Sequence, residues 1–123
     1  MPNILVVDDE PDIRRALRRL LEARGFAVVE AGTAAEGAAR ADDAEIHAVV
    51  CDIVMPGGSG IEFFDLLRAS HPDLARRFVF LTAAAKEPEV SAQVEARNAP
   101  LLSKLYELDL AVDAVSVALF QRD

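Results

Sequence analysis

Residues 51–60 read Cys51-Asp52-Ile53-Val54-Met55-Pro56-Gly57-Gly58-Ser59-Gly60, and they connect an apolar segment to the start of a helix. The apolar run at residues 46–51 is typical of a buried strand, and it ends at Asp52. Proline and glycine residues then predict a turn, and Ser59 followed by Glu62 is a capping box that opens a helix. A strand that ends in this way places the carboxylate of Asp52 where open α/β sheets bind their ligands.

Four further apolar runs predict four more strands, at residues 4–7, 26–30, 78–81 and 100–103. Helical spacing of apolar residues, a second capping box and prolines in first-turn positions predict a helix after each of the five strands. This alternation predicts an α/β fold, with a doubly wound parallel five-stranded sheet, helices on both faces and right-handed crossovers.

Length and composition narrow the class of protein. The 123 residues, 52% of them hydrophobic, predict one domain that spans residues 1–123. A formal net charge of −8 argues against direct nucleic-acid binding and favours a cation or a basic partner. No apolar run approaches the roughly 20 residues of a membrane span, and no signal peptide is visible, so we expect a cytoplasmic protein that does not bind membranes.

Five polar residues follow or end the predicted strands at the carboxyl edge of the sheet. They are Asp8, Asp9, Asp52, Thr82 and Lys104. Three clustered carboxylates repel one another unless a cation joins them, and oxygen ligands of this kind suit Mg²⁺. A carboxylate can also attack phosphorus to form an acyl phosphate, while a hydroxyl and an ammonium group hold the phosphoryl oxygens.

Each of these residues also has a simpler explanation. Asp8, Asp9 and Glu10 would serve equally well to cap the first helix and favour its positive end. Thr82 alone would be an ordinary residue at a strand end, and Lys104 alone a solvated lysine. Their joint placement at successive strand ends favours the functional interpretation. Four arginines on the first predicted helix are interpreted as a solvated face or a docking surface: Arg14, Arg15, Arg18 and Arg19.

With these motifs in place, the chain resembles the receiver domain of two-component response regulators over nearly its whole length. The resemblance rests on residues 4–10, on Asp52-Ile53-Val54-Met55-Pro56 with Gly60, on Leu81-Thr82-Ala83 and on Ser103-Lys104. It implies a flavodoxin-like (βα)5 fold with strand order 2-1-3-4-5. It also implies a signalling switch that catalyses at most its own phosphoryl transfer and dephosphorylation, rather than an enzyme with an external substrate.

The resemblance assigns roles to the strand-end residues. Asp52 would be the phosphoacceptor, and Thr82 and Lys104 would hold the phosphoryl group and relay its presence. Asp9 would bind Mg²⁺ directly, together with Asp52 and the backbone carbonyl of Val54, and Asp8 would help, largely through water. The implied donor is a sensor histidine kinase or a histidine phosphotransfer protein. The downstream target, a homodimeric state and membership in a longer chain stay open.

The chain departs from this family at two positions. Leu105 follows the lysine where the family usually has proline, and Leu101 replaces an aromatic residue that often pairs with the switch hydroxyl. Because a cis peptide bond before leucine is costly, we predict a trans Lys104–Leu105 bond. We also predict that Lys104 then reaches the Asp52 pocket poorly in the unphosphorylated state, and that Tyr106 lies outside the pocket.

Two alternatives remain at this stage. A phosphatase of the haloacid-dehalogenase type also uses an aspartyl nucleophile, but it needs a second aspartate two residues later, where this chain has Val54. A degenerate receiver would act as a phosphorylation-independent interaction module. Leu101 and Leu105 favour that alternative, whereas the intact carboxylates, Thr82 and Lys104 argue against it.

Overall fold

The computed structural model describes residues 1–83 and 87–120, and five parallel strands form its central sheet. The strands are β1 (Asn3–Val7), β2 (Ala27–Ala31), β3 (Ala48–Asp52), β4 (Phe78–Thr82) and β5 (Leu101–Ser103). Their order in the sheet is β2-β1-β3-β4-β5, with every neighbouring pair parallel. The predicted α/β class and the flavodoxin-like order are therefore confirmed. The predicted domain range, 1–123, includes residues 84–86 and 121–123, which lie outside the described residues.

Five helices follow the five strands, as predicted: α1 (Pro11–Ala23), α2 (Ala34–Asp43), α3 (Gly60–Ser70), α4 (Pro88–Glu95) and α5 (Leu108–Phe120). The hydroxyls of Thr33 and Ser59 cap α2 and α3, because each accepts a hydrogen bond from the backbone N–H three residues later. Two short elements were not predicted. They are a two-stranded antiparallel ribbon, Val54–Met55 with Gly58–Ser59, and one helical turn, Pro72–Ala75.

The core lies in two layers, one on each face of the sheet. Alternate residues of a strand point to opposite faces, so Leu5 and Val7 join one layer while Ile4 and Val6 join the other. The first layer packs the sheet against α2, α3 and α4, and the second packs it against α1 and α5. Among the described helices, none has the length and apolar character needed to cross a bilayer.

The sheet topology creates the crevice in which the polar residues meet. The chain leaves β1 towards β2 on one side and returns to β3 on the other, so the connections diverge between β1 and β3. Ligands bind at such a point, beyond the carboxyl ends of the strands. Register places Val7 beside Cys51, so the residues that follow them, Asp8 and Asp52, are neighbours at this edge.

Gly60, the first residue of α3, allows the helix to approach the end of β3. Its N–H donates to the carbonyl of Ile53 over 2.8 Å, and a Cβ at this position would overlap the backbone carbonyl of Asp52. Backbone atoms cannot rotate away as a flexible side chain can. The absence of a side chain at Gly60 therefore helps to fix the backbone that carries Asp52.

We predict that Gly60→Ala lowers the free energy of unfolding by about 3 kcal/mol, because the new methyl group must displace backbone. Gly58→Ala is the matched control, since the nearest atom to a Cβ there is Ala34 Cβ at 3.7 Å. The control should change stability by less than about 0.5 kcal/mol. Urea denaturation measures both, and equal costs for the two variants would contradict this account of Gly60.

Candidate functional site

Three carboxylates meet at the carboxyl ends of β1 and β3. Asp8 and Asp9 follow β1, and Asp52 is the last residue of β3. One oxygen of each of these side chains lies within 4.8 Å of the others. Asp8 and Asp52 are buried, whereas Asp9 is exposed at the rim. The strand ends thus bring together carboxylates that are 44 residues apart in sequence, 52 minus 8.

The ammonium group of Lys104 lies among these carboxylates and is itself buried. Its Nζ donates to Asp52 Oδ2 over 2.8 Å, to Glu10 Oε1 over 3.1 Å and to Asp8 Oδ1 over 3.2 Å. Hydrogen bonds between ionised groups are stronger than those between neutral groups. Lys104 therefore links the ends of β1, β3 and β5 through their side chains.

The expectation that Lys104 reaches Asp52 poorly is wrong. The Lys104–Leu105 peptide bond is trans, as predicted, yet the side chain enters the pocket. The reason is that the backbone N–H of Lys104 donates to the carbonyl of Thr82 over 3.0 Å, which extends the β4–β5 ladder by one residue. The direction of the lysine is thus set before the chain reaches Leu105.

Ser103 and Glu107 hold the turn that follows Lys104. The Ser103 hydroxyl accepts from the N–H groups of Leu105 and Tyr106, both over 3.3 Å. The Glu107 carboxylate accepts from the Ser103 N–H over 2.7 Å. These local bonds keep Leu105 and Tyr106 exposed, and Tyr106 lies outside the pocket, as predicted.

Thr82 and Val54 line the same cleft, which has a volume of about 560 Å³. The other lining residues are Asp9, Glu10, Asp52, Met55, Pro56, Ala83 and Lys104. Thr82 is buried at the end of β4, whereas Val54 is 67% exposed at the rim. The Val54 N–H donates to Asp52 Oδ1 over 3.3 Å, so the loop after β3 turns back onto the carboxylate.

Burial dominates the electrostatics of the two inner carboxylates. It is the largest effect on the pKa of Asp52, which is raised although Lys104 opposes the shift. The pKa of Asp8 is raised for the same reason, against the opposing hydrogen bonds from the Glu10 N–H and Lys104. Burial alone would lower the pKa of Lys104, but its bonds to Asp52 and Asp8 outweigh burial and raise it.

The donor set of this site fits a hard divalent cation. Asp8 Oδ2 is buried and accepts no hydrogen bond within the part of the chain that the structure describes, although Lys104 Nζ lies 3.0 Å away. Buried oxygens normally have a partner, so an atom of this kind has capacity for a ligand. Carboxylate oxygens at a wet rim match the preference of Mg²⁺ for oxygen donors and retained water.

Glu10 also belongs to the site, although it was not predicted to do so. Glu10 is the residue before α1 and would be expected to cap it, but its side chain makes no capping bond and turns to Lys104 instead. The N–H of Glu10 donates to Asp8 Oδ1 over 2.8 Å, which closes a tight turn between β1 and α1. The sequence signal for a role of Glu10 in the site is its position, since it is an acidic residue directly after two aspartates at a strand end.

Comparison with known proteins points to the same family as the sequence motifs. The family model described as the response regulator receiver domain matches residues 4–116. The KDP operon transcriptional regulatory protein KdpE of Escherichia coli (strain K12) is 34% identical over 119 residues, which make up 97% of this chain and 52% of that protein. The chain thus spans about half the length of this curated relative.

A shorter relative and a solved structure match over most of their length. The response regulator receiver protein CpdR of Brucella abortus (strain 2308) is 33% identical, and the match covers 88% of each chain. The crystal structure of response regulator protein TrrA from Thermotoga maritima, in complex with Mg(2+)-BeF, has a TM-score of 0.83 and 30% identity. That match covers 97% of this chain and 100% of the other.

The raised pKa of Asp8 predicts a measurable pH dependence of stability. Because the folded protein binds this proton more tightly than the unfolded chain, stability falls as pH rises from 3.8 through the folded-state pKa. Asp8→Asn removes that titration and keeps an acceptor for the Glu10 N–H. We therefore predict that the variant is more stable than wild type at neutral pH, without added metal, and that the difference shrinks towards pH 4.

Urea denaturation across this pH range measures the effect. Asp43→Asn is the control, because Asp43 is an exposed carboxylate at the end of α2 and does not line the cleft. It should track wild type at every pH. A wild-type protein that is more stable than Asp8→Asn at neutral pH, in the absence of metal, would contradict the prediction.

Proposed function

The chain belongs to the response regulator receiver domain family of two-component systems, and from this premise we propose that it is a switch that accepts a phosphoryl group on Asp52. The observation that carries the proposal is the environment of this carboxylate. It is buried at the mouth of a cleft, bound by Lys104 at 2.8 Å and flanked by two further carboxylates. We further propose that residues 1–123 form one such domain.

In the proposed reaction, a carboxylate oxygen of Asp52 attacks the phosphorus of a phosphohistidine. The new P–O bond forms as the P–N bond breaks, and the imidazole leaves with the electron pair of that bond and takes up a proton. Only the ionised carboxylate is a nucleophile, and burial, which raises the pKa of Asp52, opposes ionisation. Lys104 supports the ionised form through its hydrogen bond.

Asp8, Asp9, Asp52 and the backbone carbonyl of Val54 would hold Mg²⁺. When bound, the ion neutralises charge on the carboxylates and on the incoming phosphoryl oxygens. The buried Oδ2 of Asp8, which accepts no hydrogen bond among the described residues, and the close spacing of the three carboxylates support this assignment. The Mg(2+)-BeF complex of the Thermotoga maritima protein supports it by analogy, at 30% identity.

Lys104 and Thr82 would hold the transferred group. In the unphosphorylated chain, Lys104 Nζ is bound to the Asp52 oxygen, and it would exchange this partner for a phosphoryl oxygen. Thr82 lines the cleft from β4, and its hydroxyl would donate to another phosphoryl oxygen. Transfer of a phosphoryl group depends mainly on positioning and charge, which these two residues provide.

The proposed donor is a sensor histidine kinase or a histidine phosphotransfer protein. This assignment rests on the family. The family is also the basis for proposing a signalling role rather than turnover of an external substrate. The chain would catalyse only its own phosphoryl transfer and dephosphorylation. The matched transcriptional regulator is about twice as long as this chain.

A second candidate is an interaction module that works without phosphorylation. Leu101 favours it, because this residue packs against the core layer of α2, α3 and α4 and has no hydroxyl to pair with Thr82. The contacts of Lys104 favour the first candidate, since a module with no phosphoryl chemistry has no need of a buried lysine among carboxylates. Phosphoryl uptake separates the two.

We predict that acetyl phosphate and Mg²⁺ add one phosphoryl group to the wild-type chain, measured by intact mass spectrometry. Asp52→Asn should show no mass gain, because an amide is not a nucleophile here. The control Asp43→Asn should behave as wild type, and a chelator should abolish uptake in both. Uptake by Asp52→Asn equal to wild type, or none by wild type, would contradict the proposal.

A further inference from the structure

Arg14, on α1, is not a solvated surface residue. Its side chain is only 20% exposed, and its Nη1 donates to the backbone carbonyl of Asp8 over 2.6 Å. Its Nε donates to Glu30 Oε1, in β2, over 2.9 Å. The interpretation of the α1 arginines as a solvated or docking face is therefore wrong for Arg14, which bridges β2 and the loop after β1.

The Arg14 guanidinium lies beside Gly32, just after β2, and beside Glu30 within β2. A Cβ at Gly32 would lie 3.4 Å from Arg14 Nη1, which is ordinary van der Waals contact. Glu30 is also bound by Arg18, whose Nε donates to Oε2 over 2.8 Å. The hydrogen bond from Arg18, followed by that from Arg14, lowers the pKa of Glu30 and keeps it ionised. Glu30 thus orients the Arg14 fork.

The carbonyl that Arg14 binds belongs to the peptide group that joins Asp8 to Asp9. On the other side of the Asp8 Cα, the N–H of Asp8 donates to the carbonyl of Ala31 in β2 over 3.1 Å. The peptide groups on both sides of the Asp8 Cα are therefore fixed, one by the ladder and one by Arg14. The direction of the second peptide group decides where the Cα of Asp9, and hence its carboxylate, is placed.

We propose that Arg14, oriented by Glu30, is a positioning residue that holds the Asp8–Asp9 peptide so that both carboxylates face Asp52 and form a divalent-cation site. The inference rests on the proposed function in one respect, namely that the carboxylates bind Mg²⁺. Without Arg14, mutual repulsion of the carboxylates would favour rotation of this peptide away from Asp52. Arg14 acts through backbone geometry, since it touches no carboxylate of the cluster.

Arg18 supplies a matched control within the same network. Both arginines lie on α1, and each donates its Nε to one oxygen of Glu30. Of these two arginines, only Arg14 donates a hydrogen bond to Asp8. Arg14→Gln and Arg18→Gln therefore each remove one positive charge and one bond to Glu30. Arg18→Gln also removes an exposed bond to Glu22 within α1, whereas Arg14→Gln removes the support of the Asp8–Asp9 peptide.

The experiment measures the Mg²⁺ dissociation constant by isothermal titration calorimetry, and backbone amide exchange at residues 9 and 10 in metal-free protein. Groups that orient metal ligands typically change metal affinity by 10-fold to 100-fold. Arg14→Gln should therefore raise the dissociation constant about tenfold and speed exchange. Arg18→Gln should change neither. Arg14→Lys should recover part of the affinity, because an ammonium group cannot keep both fork contacts.

Circular dichroism establishes that each variant is folded. If Arg14→Gln does not fold, Glu30→Gln takes its place, since it leaves Arg14 present but weakens its orientation, and it should weaken Mg²⁺ binding. An Arg14→Gln protein with wild-type affinity and exchange, or equal losses in Arg14→Gln and Arg18→Gln, overturns the inference alone. A wild-type chain that binds no Mg²⁺ overturns it together with the metal-dependent part of the proposed function.

Discussion

The hydrogen-bonded ion pair between Lys104 and Asp52 is the interaction on which the site depends. Lys104 Nζ lies 2.8 Å from one oxygen of Asp52 and also contacts Asp8 and Glu10. One ammonium group cannot balance these three carboxylates and Asp9 at the rim, so the cluster remains short of positive charge. Burial makes this imbalance costly, because charges are less screened there than in water. A divalent cation would supply the missing charge.

The fold brings these groups together through strand order. Asp8 and Asp52 meet because β1 and β3 are neighbours, and Lys104 reaches them from β5 across β4. The close packing of Gly60 against the end of β3, and of Arg14 against the end of β1, then fixes the backbone beneath the two inner carboxylates. Helices and strands that carry no reactive group thus control the geometry of the site.

Much of this arrangement could be predicted from sequence, because it follows from local patterns. Apolar runs predicted all five strands, with strand ends displaced by one or two residues, and capping boxes marked α2 and α3. The convergence of the strand-end residues followed from parallel topology alone. The strand order itself came from the resemblance to a family, since local patterns do not specify which strands pair.

The contacts of the long side chains could not be predicted in this way. The trans peptide bond after Lys104 does not decide where its side chain points, because the ladder bond from the Lys104 N–H to the carbonyl of Thr82 sets its direction. Glu10 and Arg14 were assigned to capping and to a solvated surface. Their actual partners lie in other elements, and they depend on sheet register and rotamer, which sequence spacing does not give.

The most direct test of the central claim is the effect of Mg²⁺ on thermal stability of wild type and Asp9→Ala. At ten times the dissociation constant, binding should add about 1.4 kcal/mol, or about 5 °C for a chain of this size. The account predicts this rise for wild type and almost none for Asp9→Ala, which lacks a carboxylate of the cluster. If saturating Mg²⁺ changes the melting temperature of neither protein, the account is contradicted.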